Sequence, residues 1–213
     1  MSTFRIVTTF FVILIAVFHA SPSNGRKVIE DLVEIEQIGR KIFASRDGIP
    51  STPLELKSKE EVLWIDSGGY VGALITNKRF VVTSLYSSSW MDKPLKSDET
   101  HDGSLLVSPT LALFMTKDRV ICFDAMNPRF IEPNRSLREE FLEAEVNDYV
   151  AVVVSSTRAL GFGTDGSSFK EIRFKRREIF QSIRTTQRVA TVTTNFRRLT
   201  FNASSSFWAE VRL

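Results

Sequence analysis

The sequence predicts an all-β domain built of four repeats of about 39 residues, and three observations carry that expectation. Five residue types recur in a fixed register, runs of β-branched residues flank a regularly placed two-residue turn, and apolar and polar residues alternate beyond it. Each column of the register and each strand can be read directly from the chain.

Gly72, Ala112, Ala151 and Ala190 each begin a segment with a hydroxyl residue four positions later, at Thr76, Thr116, Ser155 and Thr194. Three positions further on stand Arg79, Arg119, Arg158 and Arg197, spaced 40, 39 and 39 residues apart. Eleven positions after each arginine comes an aromatic, Trp90, Phe130, Phe169 or Trp208, and two beyond it an acid, Asp92, Glu132, Glu171 or Glu210. Self-similarity at such a period marks units that stack on one another.

Within a unit, Val150-Ala-Val-Val-Val154 and Val189-Ala-Thr-Val-Thr193 are rich in the branched residues that suit a pleated, part-buried surface. The pairs Asn77-Lys78, Lys117-Asp118, Ser156-Thr157 and Asn195-Phe196 have the length of a tight hairpin loop, although none contains glycine. A third strand follows, as in Phe169-Lys-Glu-Ile-Arg-Phe174 and Trp208-Ala-Glu-Val-Arg-Leu213, where alternation implies one buried face. Val62-Leu-Trp-Ile65 and Ile179-Phe-Gln-Ser-Ile183 read as the fourth strand, leading into the next unit. Pro53-Leu-Glu-Leu56 aligns without a gap on Glu171-Ile-Arg-Phe174, an extra copy of the outer strand ahead of the first full unit.

Four antiparallel strands per unit, over residues 51–213, resemble the blades of β-propeller repeat proteins. The resemblance lies in unit length and strand count. The chain has no Trp-Asp repeat dipeptide and no kelch glycine pair recurring from unit to unit, so no partner or site residue carries over. A four-bladed ring is the first expectation and an open or dimer-completed array the second.

Two segments precede the repeats. In residues 1–25 Arg5 stands before an apolar run from Ile6 to Ala20, and Ser21-Pro22-Ser23 follows, an order that reads as an export signal. At 15 residues the run is shorter than the roughly 20 that span a bilayer. The alternative is an uncleaved membrane tether through residues 6–20, since Phe18 occupies a position where cleavage favours a small residue. Residues 26–50 are expected to be helical, because Val28, Ile29, Leu32, Val33, Ile35, Ile38 and Ile42 fall on a helical stripe.

The repeated pairs Arg79 with Asp92, Arg119 with Glu132, Arg158 with Glu171 and Arg197 with Glu210 are expected to be structural ion pairs. A feature shared by every unit belongs to the scaffold, and so the repeated aromatics are read as core. The segment Pro133 to Glu143 reads as an insertion that breaks the symmetry, with Ser136 and Glu139 spaced like a helix start.

Chemistry for catalysis is sparse. With His19 inside the signal, only His101 and Cys122 remain of the two residue types that build common zinc and copper sites. No cofactor, metal site or catalytic group is expected. A lone cysteine also excludes an intramolecular disulfide, so an exported fold must rest on burial.

Charge points to binding. Residues 151–213 hold 11 Lys or Arg against 4 Asp or Glu. Within them Lys170, Arg173, Lys175, Arg176 and Arg177 form the candidate partner-binding cluster. The expected function is an exported, periplasmic or secreted, non-enzymatic binding or scaffolding module of the cell envelope that recognises a protein or an anionic glycan and no nucleic acid. The alternatives are a glycan-acting hydrolase with a carboxylate pair and a self-assembling structural protein that forms homo-oligomers.

Overall fold

The computed structural model describes residues 31–213. The expected export signal and the first residues of the expected helix lie outside them. The described residues form five antiparallel sheets in chain order. The first holds β1 (Val33–Ile38), β2 (Lys41–Arg46), β3 (Ile49–Pro50) and β4 (Leu54–Glu55), and the second β5 (Val62–Gly68), β6 (Val71–Thr76), β7 (Arg79–Ser84) and β8 (Met91–Pro94). A single helical turn, α1 (Glu99–Asp102), leads to β9 (Ser104–Val107), β10 (Leu111–Met115), β11 (Val120–Asp124) and β12 (Arg129–Ile131). The fourth sheet is β13 (Phe141–Asn147), β14 (Val150–Ser155), β15 (Arg158–Gly163) and β16 (Lys170–Arg173), and the fifth β17 (Phe180–Thr185), β18 (Val189–Thr194), β19 (Arg197–Asn202) and β20 (Phe207–Arg212).

The first strands of the second to fifth sheets each pack beside those of their neighbours, with β1 also beside β5. The sheets therefore radiate from that side in the manner of propeller blades. The number of units is five where the repeat register predicted four. In the first sheet the register has drifted, and Glu34, Ile38 and Lys41 occupy the columns held elsewhere by the small residue, the hydroxyl and the arginine. Its outer strand is split into β3 and β4, both paired with β2, and β4 lies within the extra outer-strand copy at Pro53–Leu56.

Strands also replace the helix expected over residues 26–50. Val33-Glu-Ile-Glu alternates with period two, and the helical stripe depended on Val28 and Ile29, which lie outside the described residues. Gly39, at φ 61°, opens a two-residue turn that a right-handed helix cannot contain and folds Ile38 back onto Lys41.

Each pair of neighbouring sheets shares one apolar cluster. Ile42, Leu56, Leu74 and Val81 join the first two sheets, and Phe80, Phe114, Ile121 and Phe123 the next two. Leu113, Val153 and Phe162 join the third and fourth, while Val152, Val154, Val192 and Phe201 join the fourth and fifth. The middle sheets therefore bury both faces, and β6, β7, β14 and β15 are buried throughout. The end sheets bury one face, and β18 and β19 alternate in burial accordingly. Among the described residues no apolar cluster joins the fifth sheet back to the first.

The inner strands β5, β13 and β17 carry a bulge at the same place, with Leu63, Leu142 and Gln181 as the extra residues. An irregular inner edge hinders further strand pairing there.

The contrast between middle and end sheets can be measured on one pair of equivalent positions. Val152→Thr buries a hydroxyl in the junction between the fourth and fifth sheets and is expected to cost about 1–3 kcal/mol. Thr191→Val, the same column on the outward face of the fifth sheet, is expected to stay within about 0.5 kcal/mol. Urea denaturation midpoints of the two variants decide it.

Candidate partner-binding surface and the arginine hub

The hydroxyl column shapes each hairpin between the second and third strands. Thr76 Oγ1 accepts hydrogen bonds from the amides of Lys78 (3.1 Å) and Arg79 (3.0 Å). Thr116, Ser155 and Thr194 bind the corresponding amides in the other sheets. A side-chain oxygen thus satisfies the turn amides, and the loop needs neither glycine nor a positive φ.

The arginine after each turn is a hub. The structure brings Arg79 to 3.2 Å from Asp92 and Arg119 to 2.9 Å from Glu132, and pairs Arg158 with Glu171 and Arg197 with Glu210. A second acid, 19 or 20 residues before each arginine, binds it from the other side. Arg79 donates from Nε to Glu60 at 2.7 Å and from a terminal nitrogen at 3.1 Å. Arg158 holds Glu139 at 2.7 and 2.8 Å, and Arg197 holds Glu178 at 2.8 and 2.9 Å. Each guanidinium also donates to a backbone carbonyl at the end of the preceding sheet: Glu55 for Arg79, Pro94 for Arg119, Asn134 for Arg158 and Arg173 for Arg197. One side chain therefore joins its own hairpin, its own outer strand, the linker and the neighbouring sheet.

Sequence reasoning missed the column Glu60, Glu99, Glu139 and Glu178, although its spacing of 39, 40 and 39 residues was available. Each acid closes a one-turn linker. The amides of Lys57, Lys96, Ser136 and Lys175 donate to the glutamate three residues on, at 2.6–2.8 Å. The supposed insertion at Pro133 to Glu143 is therefore the regular linker, and the Ser136 and Glu139 spacing makes a single turn instead of opening a helix. Lys59, Arg138 and Arg177, just before their glutamates, adopt positive φ of 56°, 63° and 63°. That conformation ends the turn and rules out continuation as a helix.

The Glu60, Glu139 and Glu178 side chains have no solvent exposure, and their arginines no more than 10%. Burial works against the charge on Glu139, but hydrogen bonds from Arg158, Ser155 and the Ser136 amide outweigh it and bring its pKa down to about 2. Burial likewise opposes the charges on Glu60 and Glu178, and their arginines hold both below the usual carboxylate range. The second junction is looser. Its linker is one residue longer, Glu99 sits in α1, and Arg119 reaches it through one contact of 3.4 Å with 26% of the arginine side chain exposed.

The candidate cluster lies where the fourth sheet passes to the fifth. Lys170, Arg173, Lys175, Arg176 and Arg177 are all exposed, Arg173 to 79% of its side chain. Arg173 pairs with Glu171 at 3.2 Å and Lys175 with Glu210 at 3.4 Å. Among the described residues Arg176 and Arg177 have no carboxylate partner. Lys175, Arg176 and Arg177 occupy the linker turn, whose equivalents carry Lys57, Lys59, Lys96 and Arg138, all exposed. Because the hub fixes every linker turn beside the same end of its hairpin, at the turn between the second and third strands, these cations share one rim.

The repeated aromatics serve the scaffold. Trp90 donates its indole N–H to the carbonyl of Thr52 (3.0 Å), between the two pieces of the first sheet's outer strand, and Trp208 to that of Lys170 (2.8 Å) in the outer strand of the fourth. Phe130 and Phe169 lie 5.4 and 5.5 Å from Phe123 and Phe162 between ring centres. Cys122 is buried, and burial raises its thiol far above the ordinary range. Among the described residues no group of three His, Cys, Asp or Glu is placed to hold a metal ion, and no helix is long and apolar enough to cross a membrane.

No family model matches the chain, and no curated protein is similar to it. Solved structures to which it is similar include the N-terminal domain of Nup159, with a TM-score of 0.39 and 8% identity over 85% of this chain and 58% of that one. The WD40 domain of SCAP from fission yeast gives 0.39 and 8% identity over 87% and 56%, and Hsv2 of Kluyveromyces lactis gives 0.40 and 10% over 83% and 59%. The chain spans less than three fifths of the length of these structures.

Two outcomes follow from the hub. Arg158→Ala strands a buried carboxylate and is expected to cost about 3–5 kcal/mol, whereas Arg119→Ala, at the looser and more exposed junction, is expected to cost about 1 kcal/mol. Paired denaturation curves test the difference. The second outcome concerns pH. A depressed carboxylate pKa contributes stability that is present above the ordinary value of 4.5 and is lost as pH falls toward about 2. Glu139→Gln should destabilise the chain at neutral pH and flatten the loss of stability across that window, measured as the urea midpoint against pH.

Proposed function

We propose that this chain is an exported, non-enzymatic scaffold that binds a protein through an acidic segment, using the basic rim of its linker turns. The observation that carries the reading is the set Lys170, Arg173, Lys175, Arg176 and Arg177. Five exposed cations cluster at one junction, with Arg176 and Arg177 free of carboxylates and further cations in the equivalent turns. Unpaired cations on a rigid, low-dielectric body draw in acidic chains and set the rate of encounter. The hub supports the reading because it holds each turn in place from below, so the cations project from fixed backbone.

The Ile6–Ala20 run, with Arg5 before it, directs export to the periplasm or the medium. The binding reading is tested with a fluorescent oligoglutamate peptide and the triple variant Arg173→Glu, Arg176→Glu and Arg177→Glu. Anisotropy titrations should show binding that weakens with salt and falls at least tenfold in the variant. Equal binding by the variant, with an unchanged melting temperature, would remove the rim as the site. An anionic polysaccharide run in parallel separates a protein partner from a glycan, since only the peptide should bind at physiological salt. For export, intact-mass analysis of the secreted chain should find Ser21 at its N-terminus, whereas a chain beginning at Met1 and sedimenting with membranes would indicate a tether.

A further inference from the structure

The two ends of the stack carry opposite charge in the columns that are apolar at each of the three junctions between the second and fifth sheets. Between the fourth and fifth sheets, Ala190 and Val192 of β18 pack on Val152, Val154 and Ala159 of β14 and β15. At the start of the chain the columns of Ala190 and Val192 are filled by Glu34 and Glu36, both exposed on the outward face of β1. At the far end the columns of Val152, Val154 and Ala159 are filled by Thr191, Thr193 and Arg198 on the outward face of the fifth sheet. Arg184, exposed and opposite Thr191, adds a second cation there.

We propose that a second copy of this chain docks head to tail, its first sheet seated on the fifth sheet of its neighbour in the geometry the internal junctions use. That stacking sets Glu34 and Glu36 against the threonines and arginines of the other copy. Like faces cannot pair, because the glutamates would meet glutamates and the arginines arginines, so the contact is heterologous and continues to a ring or a filament. The faces also have the mixed make-up of a reversible interface. Half-buried Phe43 and exposed Ile38 and Pro50 line the glutamate side around a cavity of about 630 Å³, and exposed Val211 lies beside Arg198. Lys41 and Glu55, 3.6 Å apart on the same first-sheet face, cancel each other and leave its net charge negative.

The experiment is sedimentation velocity on the full chain over a range of concentration, at low and at high salt. The proposal expects a mass above the monomer that grows with concentration and shrinks with salt. Glu34→Lys with Glu36→Lys should weaken self-association at least tenfold, and so should Arg184→Glu with Arg198→Glu. Mixing the two variants should restore it, because each then offers a face of the sign the other lacks. Melting curves establish that both variants fold, and the single changes Glu36→Lys and Arg198→Glu repeat the test where a double variant does not. A monomer at every concentration overturns the proposal, including one that closes its first sheet on its own fifth. An oligomer unmoved by either reversal, or a mixture that stays dissociated, does the same. The rim cations Arg173, Arg176 and Arg177 are unchanged throughout, so the outcome is independent of the partner reading.

Discussion

The contact on which the architecture depends is the arginine held between two carboxylates at each junction, best formed at Arg79, Arg158 and Arg197. Stacked sheets with apolar faces have little to fix their relative position, since burial of apolar area is non-directional. A buried guanidinium supplies direction, because its donors meet their acceptors in only one placement of the linker, the outer strand and the preceding sheet. Buried ion pairs contribute little net stability against an apolar replacement, but breaking one is costly. The hub is therefore better understood as setting register than as a source of energy. In a chain with one cysteine, itself buried, no covalent link performs that task.

What the sequence revealed follows from the same logic. Columns that lie within a hairpin unit were legible, because both partners fall inside one period: the arginine and the acid thirteen residues after it, the hydroxyl before it, the aromatic beyond it. The linker glutamate lies ahead of the point where the unit begins, so Ser136 and Glu139 looked like a helix start. The first sheet escaped notice for a different reason. Among the described residues its outward face has no neighbouring sheet, so nothing there required a small residue at Glu34 or an arginine at Lys41, and Gly39 at φ 61° makes the turn without a hydroxyl at Ile38. The basic cluster was visible as composition, but its place on a shared rim depends on three-dimensional equivalence of the linker turns, which pattern alone does not show.

Stability in a stacked array is close to a sum over units and their nearest-neighbour junctions, so a sheet at either end has one junction where an inner sheet has two. The end sheets differ in how they meet that deficit. The fifth retains a complete hub, with Arg197 held by Glu178 and Glu210, and its indole staple from Trp208. In the first sheet the hub position holds only Lys41, paired with Glu55 at 3.6 Å in a largely exposed contact, and the outer strand is broken into two short pieces. Exposed pairs of that kind contribute about 0–1 kcal/mol. Local opening should therefore begin at the first sheet and be resisted longest in the third and fourth, whose faces are both covered. The acidic face sits on the sheet that depends most on a neighbour, whereas the basic cluster from Lys170 to Arg177 sits between two sheets that each keep a complete hub, at Arg158 and Arg197.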